Sequence, residues 1–318
     1  MHEAGDRNHR ILFMRRLAGL PEPQDFGADT TAVPTPGPGQ FLSRTLYLSI
    51  DPSVRLNPAD VVGGEAVAQV LESRHPEYRP GEFVVVRNGW QQFALSSGQG
   101  VRRLDADRAP IATALGVLGL PGLLGYTGLI YHGEPRPGET VLVSDPTGPV
   151  GSTVGQAARI VGARAVGIAS SPEKCDYAVN QLGFAACITD TSSLLGACPD
   201  GVDVYFDTVG GEVLARALDV LAPRARVVLS GTSDEYQAAL SLAPLLKARA
   251  TLQGITVDDH LHRFPELERV VGSWIRAGLF RYREDISEGL GSAPDAFCRV
   301  MRGEGFGKVL VRVAPEHL

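Results

Sequence analysis

A glycine-containing segment between an apolar run and a helical pattern sets the strongest limit on the fold. The segment, residues 144–156, reads SDPTGPVGSTVGQ. The run before it, ETVLVS, is typical of a buried strand, and the residues after it have the spacing of a helix. This order is the setting of a dinucleotide-binding turn, because the helix N-terminus offers free N–H groups to a pyrophosphate. The spacing Gly148-x-x-Gly151-x-x-x-Gly155 differs from G-x-G-x-x-G, which leaves an ordinary turn before a helix as the alternative.

The chain continues with apolar runs that alternate with helical patterns. RAVGIAS, AACIT, VDVYFDTVGG and ARVVLSG read as strands, whereas SPEKCDYAVNQLG, EVLARALDVLAP and FPELERVVGSWIRAGLF read as helices. Ser171 and Pro172 are suited to the N-cap and first position of one of these helices. Near-continuous apolar strands that alternate with helices predict a parallel sheet covered on both faces.

The first part of the chain has a different pattern. Up to about residue 110 it contains short runs such as RTLYLSIDPSV and GEFVVVRNGWQQFAL, separated by turns rich in proline and glycine. Together with the length of 318 residues, this change predicts two domains. We place a β-rich domain at 1–110 and an α/β domain at 111–277. The segment 278–318, whose strand FGKVLVRV lies near the C-terminus, returns to the first domain.

Composition excludes several classes of function. The net charge is −6 and no Lys/Arg-rich run occurs, so we expect neither a nucleic acid nor a membrane as partner. The polar N-terminus lacks the apolar region of a signal peptide, which predicts a cytoplasmic protein. The four cysteines form no CxxC pair, and we expect free, mostly buried thiols and no metal site. The cluster DDHLH, residues 258–262, reads as an exposed loop before a helix.

The end of the second apolar strand indicates which nucleotide binds. An NAD site has an acidic residue there to hold the ribose hydroxyls. This strand ends instead in Ser170 and Ser171, with Lys174 shortly after. Small hydroxyls and a lysine suit a 2′-phosphate, and NADP(H) is the predicted cofactor. The alternative is that Lys174 only belongs to the start of its helix.

Several motifs together resemble a known family. The run from LGLPGLLGYTGLIYHGEPRPGETVLVSDPTGPVG to IASSPEK, with YFDTVGGEVL, SGTSDEY, LQGI and GEGFGKVLVRV, resembles zinc-independent medium-chain dehydrogenase/reductases of the prostaglandin reductase (leukotriene B4 dehydrogenase) and curcumin reductase group. SIDPSVR and GWQQFAL match its early part. The resemblance implies a GroES-like catalytic domain and a Rossmann domain. It also implies a homodimer and NADPH-dependent reduction of a carbon–carbon double bond conjugated to a carbonyl, or of a quinone.

The resemblance also assigns roles to residues. Trp90 and Tyr126 would line the substrate cleft, and Tyr236 would donate a hydrogen bond to the enolate oxygen or only pack beside the ribose. Fourteen residues would contact the cofactor: Thr147, Gly148, Pro149, Val150, Gly151, Ser170, Lys174, Thr208, Gly231, Thr232, Tyr236, Gly254, Ile255 and Thr256.

Departures from the family pattern concern the substrate side. Thr208 and Gly305 replace asparagines, and Asp190 stands where a tyrosine usually packs near the 2′-phosphate. Two segments that border the substrate, in DPSVRLNPADVVGGEAVA and DEYQAALSLAPLLKARA, are short. We therefore expect a bulky substrate. Two alternatives stay open: a biosynthetic tailoring enzyme that performs a cyclisation or an unusual reduction, and a non-catalytic NADP(H)-binding sensor or partner protein.

Overall fold

The computed structural model describes residues 7–15, 19–52, 54, 56–231 and 240–316. Its residues group into two compact units, one of residues 1–115 and 284–318 and the other of residues 116–283. Within the described residues, no helix is both long and apolar enough to cross a membrane. Strands and helices are numbered along the chain.

The first unit is β-rich. Its elements are β1 (Arg7–Phe13), β2 (Phe26–Ala32), β3 (Phe41–Ser49), β4 (Ala66–Ser73), β5 (Phe83–Val86), β6 (Phe93–Ser96), β7 (Arg102–Leu104), β14 (Glu284–Glu288), α8 (Ala293–Met301) and β15 (Lys308–Arg312). Strands β1 and β2 form a hairpin, and the others form a sheet in the order β14-β15-β3-β4-β5-β7 with β6 paired to β3. Near the C-terminus, β15 pairs antiparallel with β3.

The second unit is a parallel α/β domain. Its elements are α1 (Leu120–Thr127), β8 (Thr140–Ser144), α2 (Pro149–Ile160), β9 (Arg164–Ile168), α3 (Pro172–Asn180), β10 (Ala186–Ile188), α4 (Leu194–Ala197), β11 (Val202–Asp207), α5 (Gly211–Leu218), β12 (Leu221–Leu229), α6 (Ala243–Ala248), β13 (Thr251–Gly254) and α7 (Phe264–Arg276). The sheet order is β10-β9-β8-β11-β12-β13, with every pair parallel. This is the strand order 3-2-1-4-5-6 of a Rossmann fold, which confirms the predicted fold class.

Local sequence explains where the helices begin and end. Ser171 caps α3, since its Oγ accepts a hydrogen bond from the Lys174 N–H at 3.3 Å, and Pro172 takes the first helical position as predicted. The helix predicted over residues 212–223 is too long. It ends at Leu218, and β12 already begins at Leu221, which pairs with Val202 of β11, while residues 226–229 pair with both β11 and β13. Sheet pairing outweighs the helical pattern there.

The prediction of four free thiols is wrong for two of them. Cys175 on α3 and Cys187 on β10 form a disulfide, with their Cα atoms 5.0 Å apart. No local pattern indicates this pair, because the contact depends on the packing of α3 beside β10. Cys198 and Cys298 are free and buried, as predicted.

Candidate nucleotide-binding site

The cofactor residues predicted within the described part of the chain follow the ends of parallel strands. The turn 147–151 follows β8, Ser170 and Lys174 follow β9, and Thr208 follows β11. Gly231 follows β12, and residues 254–256 end β13 or follow it. The carboxyl ends of parallel strands lie at one edge of a sheet, which is where open α/β domains bind their ligands. The fold therefore brings these residues to a single edge.

The turn after β8 forms the N-terminus of α2. Gly148 is the N-cap and Pro149 occupies the first position, where its missing N–H costs no hydrogen bond. Thr147 is 2% exposed, and its Oγ1 has no hydrogen-bond partner. A buried hydroxyl without a partner is costly. Because it stands beside free N–H groups at a helix N-terminus, an anion such as a pyrophosphate fits this position.

The glycines of the turn have separate roles. A Cβ on Gly151 would lie 2.1 Å from the Asp145 carbonyl oxygen, so only glycine allows α2 to start this close to the turn. A Cβ on Gly155 would lie 1.8 Å from Cζ of Phe184. Gly151 thus serves the close approach at the turn, and Gly155 serves the packing of α2 against a buried ring.

A polar network joins the ends of β8 and β11, where the strand order reverses. The Thr208 N–H donates to Ser144 Oγ at 2.8 Å, and the Ser144 hydroxyl donates to Asp207 Oδ1 at 3.1 Å. Asp207 is fully buried and also accepts from the Gly210 N–H and the Tyr205 hydroxyl. These hydrogen bonds hold Thr208 in position. Thr208 stands where the family has an asparagine. Sequence reasoning missed Ser144 and Asp207, although both stand at strand ends.

The residues predicted for the 2′-phosphate follow β9. Ser170 is exposed and Lys174 is half-buried on the first turn of α3. Asp190, which would repel a phosphate if it pointed inward, instead caps its own turn. Its carboxylate accepts from the Ser192 N–H at 2.9 Å and the Ser192 hydroxyl at 2.6 Å, and these bonds lower the pKa of Asp190.

The remaining residues predicted to contact the cofactor follow β12 and β13. The Ile255 N–H donates to the Leu229 carbonyl oxygen at 2.9 Å, and Thr256 caps the 3-10 helix Val257–Arg263. Gly254 is exposed at the end of β13. Thr232 and Tyr236 lie outside the described residues.

Trp90 and Tyr126, which are predicted to line the cleft, are both buried in contacts with other side chains. Trp90 has no exposed surface and packs between Phe26 and Phe297, with ring centroids 5.6 and 5.7 Å away. Tyr126 is 5% exposed, and its hydroxyl donates to Glu266 on α7 at 2.8 Å. Burial and the Glu266 carboxylate raise the pKa of Tyr126. The sequence could not show that both rings face partners far away along the chain.

Asp145 is an acidic residue of the turn that sequence reasoning did not single out. It has a left-handed backbone with φ +48°, and its Oδ2 occupies the space where a Cβ on Gly148 would lie. The Gly148 N–H donates to the main-chain carbonyl oxygen of Asp145 at 3.1 Å, and the positive charge of Lys174 acts to lower the pKa of the Asp145 carboxyl. Burial nevertheless raises the pKa of Asp145.

Comparisons with known proteins place the chain in a family. Residues 9–104 match the family described as "N-terminal domain of oxidoreductase", and residues 149–273 match "Zinc-binding dehydrogenase". The NADPH-dependent curcumin reductase of Escherichia coli (strain K12) is 39% identical over 342 residues, covering 99% of each chain. The chain belongs to the zinc-independent medium-chain dehydrogenase/reductases. A second member of this family, the (+)-pulegone reductase of Mentha piperita, is 31% identical and covers 97% of this chain and 99% of its own.

A solved structure of the same dehydrogenase/reductase family supports both the fold and the ligand class. CurA from Vibrio vulnificus, determined in complex with NADPH, has a TM-score of 0.89 and 34% identity, and covers 96% of this chain and 99% of its own. Although one matching description names zinc, no group of three or more His, Cys, Asp or Glu residues capable of holding a metal occurs among the residues described.

Proposed function

We propose that this protein is an NADPH-dependent reductase of the carbon–carbon double bond in α,β-unsaturated carbonyl compounds or quinones. One observation carries the proposal. The parallel sheet brings the predicted cofactor residues to its carboxyl edge, and the turn there holds the unpartnered hydroxyl of Thr147 beside the α2 N-terminus. Similarity to a curcumin reductase and a pulegone reductase over nearly the whole chain supports the reaction class.

Different described residues would bind different parts of the cofactor. The free N–H groups at the start of α2 and the Thr147 hydroxyl would hold the pyrophosphate. Ser170 and Lys174 would hold the 2′-phosphate, and Thr208 would stay in place through its bonds to Ser144. When bound, NADPH supplies a hydride to the β-carbon of the substrate.

The substrate carbonyl needs a hydrogen-bond donor, because negative charge develops on its oxygen during the reduction. We assign this role to Tyr236. One well-placed donor contributes about 3 kcal/mol to the stability of such a transition state. The α-carbon then takes its proton from water. Tyr236→Phe should therefore lower kcat by a larger factor than it raises the Kd of NADPH, because the substitution keeps the ring that would pack beside the ribose.

We propose a bulky substrate, on the basis of the two short segments that would border it in the family. A small enone would leave the reacting centre wet and loosely held, which lowers kcat and not only the affinity. The experiment follows NADPH oxidation across enones of rising size, with the saturated ketones as controls. Reduction should favour the large enones. If a small linear enone has the highest kcat/KM, the size proposal is wrong and the reductase proposal stands. If none of the enones or quinones leads to NADPH oxidation, the reductase proposal is wrong.

We further propose a homodimer that forms through the β13 edge of the sheet. This strand is exposed along its length, and the leucines nearby are exposed too: Leu252 by 40%, Leu242 by 68% and Leu246 by 82%. An edge strand with exposed apolar side chains is suited to pairing with another chain. Sedimentation velocity would distinguish the dimer from a 33.8 kDa monomer.

We propose a cytoplasmic location as well, since the cytoplasm is one of the compartments that regenerate NADPH. The disulfide between Cys175 and Cys187 is the observation against it, because disulfides are rare in reducing compartments. Fractionation of cells that produce the protein would test the location.

A further inference from the structure

The disulfide between Cys175 and Cys187 lies beside a residue proposed to bind the cofactor. Cys175 directly follows Lys174 at the first turn of α3, and Cys187 lies on β10, the strand at one edge of the parallel sheet. The Cα atoms of the two cysteines are 5.0 Å apart. The bond therefore ties the backbone next to Lys174 to the sheet.

The sulfur of Cys187 also lies close to the turn that precedes α2. Cys187 pairs in register with Gly167 of β9. A Cβ on Gly167 would lie 3.1 Å from Cys187 Sγ and 2.8 Å from Cγ of Pro146, which belongs to that turn. The disulfide thus packs on the same face of β9 as the turn proposed to hold the pyrophosphate.

Burial holds the later part of α3 more firmly than its first turn. Glu173 is exposed, and Lys174 and Cys175 are half-buried, whereas Ala178 is fully buried in the core of the domain. The Ser171 cap and the disulfide both fix the first turn. Because the cap is one hydrogen bond at 3.3 Å, loss of the covalent bond should loosen the turn that carries Lys174.

We propose that the disulfide positions Lys174 for the 2′-phosphate, so that reduction of the bond lowers the affinity for NADPH. The inference rests on the proposed function. A dithiol reduces the bond by thiol–disulfide exchange: it gives two electrons and two protons to the cysteine sulfurs and itself becomes a disulfide. Both cysteines keep some exposed surface, which gives the reagent access. In the reduced protein, NADPH binding has to order the side chain of Lys174 again.

The effect should be specific for one cofactor. NADH has no 2′-phosphate, so its binding does not depend on where Lys174 lies. The oxidised protein should therefore prefer NADPH over NADH more strongly than the reduced protein does. A general loosening of the domain would instead weaken the binding of both cofactors.

The test measures the Kd of NADPH and of NADH by fluorescence titration, with protein purified without reductant and with the same protein after dithiothreitol. The temperature is one at which circular dichroism shows the reduced protein to be folded. Reduction should raise the Kd of NADPH about two- to tenfold, the cost of immobilising one long side chain, and leave that of NADH nearly unchanged. In Lys174→Ala, the Kd of NADPH should not respond to dithiothreitol, because the side chain that the bond positions is absent.

Cys198→Ala is the matched control, since it removes a buried free thiol of the same domain and should keep the full response to dithiothreitol. The double variant Cys175→Ala and Cys187→Ala should bind NADPH like the reduced wild type, with or without dithiothreitol. An unchanged Kd of NADPH on reduction would overturn the proposal, as would an equal change for NADH or an equal response in Lys174→Ala. Four free thiols in the unreduced protein would overturn it too. If the unreduced wild type bound neither cofactor, the proposed function itself would fail.

Discussion

At the scale of single residues, the proposed preference for NADPH depends on whether Lys174 binds the 2′-phosphate or only belongs to the start of α3. The sequence left both roles open. The charge of Lys174 acts to lower the pKa of Asp145, and its backbone N–H donates to the Ser171 hydroxyl that caps α3. The cap uses only the backbone N–H of Lys174, so a change of the side chain leaves the cap in place. A substitution of the side chain separates the two roles.

Lys174→Ala should weaken NADPH binding by about 1.5–3 kcal/mol, the range for a hydrogen bond to a charged group. NADH binding should change little, because the ribose of NADH carries no phosphate. Fluorescence titration of both cofactors measures this difference, and Lys174→Arg serves as the control that keeps the charge. An equal loss for NADPH and NADH would mean that Lys174 only supports α3.

Single residues also show where sequence reasoning ends. The pattern of Ser170, Ser171 and Lys174 is local and could be interpreted from the sequence. Trp90 could not, since its burial depends on Phe26 and Phe297, which lie far from it along the chain. Asp145 was missed because its importance comes from a left-handed backbone that turns its carboxylate toward Gly148.

At the scale of elements, the contact between α2 and Phe184 is the most demanding packing constraint near the turn. Gly155→Ala would place a methyl group 1.8 Å from the Phe184 ring, which is 3% exposed and has little room to move. Such overpacking costs about 1–3 kcal/mol of stability. Urea unfolding should show this loss. Gly196→Ala, where no atom lies within 4 Å of the new methyl group, should lose less than about 0.5 kcal/mol. Equal stability of the two variants would contradict the packing described.

The disulfide between α3 and β10 predicts a second effect on stability. The two cysteines are 12 residues apart, and closing a loop of this size stabilises a fold by about 2–3 kcal/mol. Cys175→Ser should lose that amount in the absence of reductant. Dithiothreitol should destabilise the wild type and leave Cys175→Ser unchanged. A count of four free thiols in the native, unreduced protein would show that the bond does not form.

The elements themselves follow from sequence to different degrees. Strands β8 and β9 and helices α2 and α3 could be predicted, because apolar runs, the Ser171 cap and Pro172 are local signals. The end of α5 could not, since residues 221–223 continue the helical pattern but belong to β12, where Leu221 pairs with Val202 of β11.

At the scale of the whole molecule, alternation of strands and helices was enough to predict a parallel sheet, and the strand order then places the site. The order β10-β9-β8-β11-β12-β13 reverses between β8 and β11, where Ser144, Asp207 and Thr208 meet. The strand order does not identify the substrate, because a fold does not determine a function. By the resemblance, two short segments would border the substrate, and one of them, residues 234–250, lies partly outside the described residues.

The central claim is that NADPH bound at this site reduces a conjugated carbon–carbon double bond. The most direct measurement is product mass together with cofactor consumption, for a bulky enone incubated with the protein and NADPH. The product should be heavier than the substrate by two hydrogens, and one NADPH should be oxidised per product molecule. A product of unchanged mass formed without net NADPH oxidation would identify a cyclisation and contradict the claim. Tight NADPH binding with no oxidation of the cofactor by any tested enone or quinone would also contradict the claim.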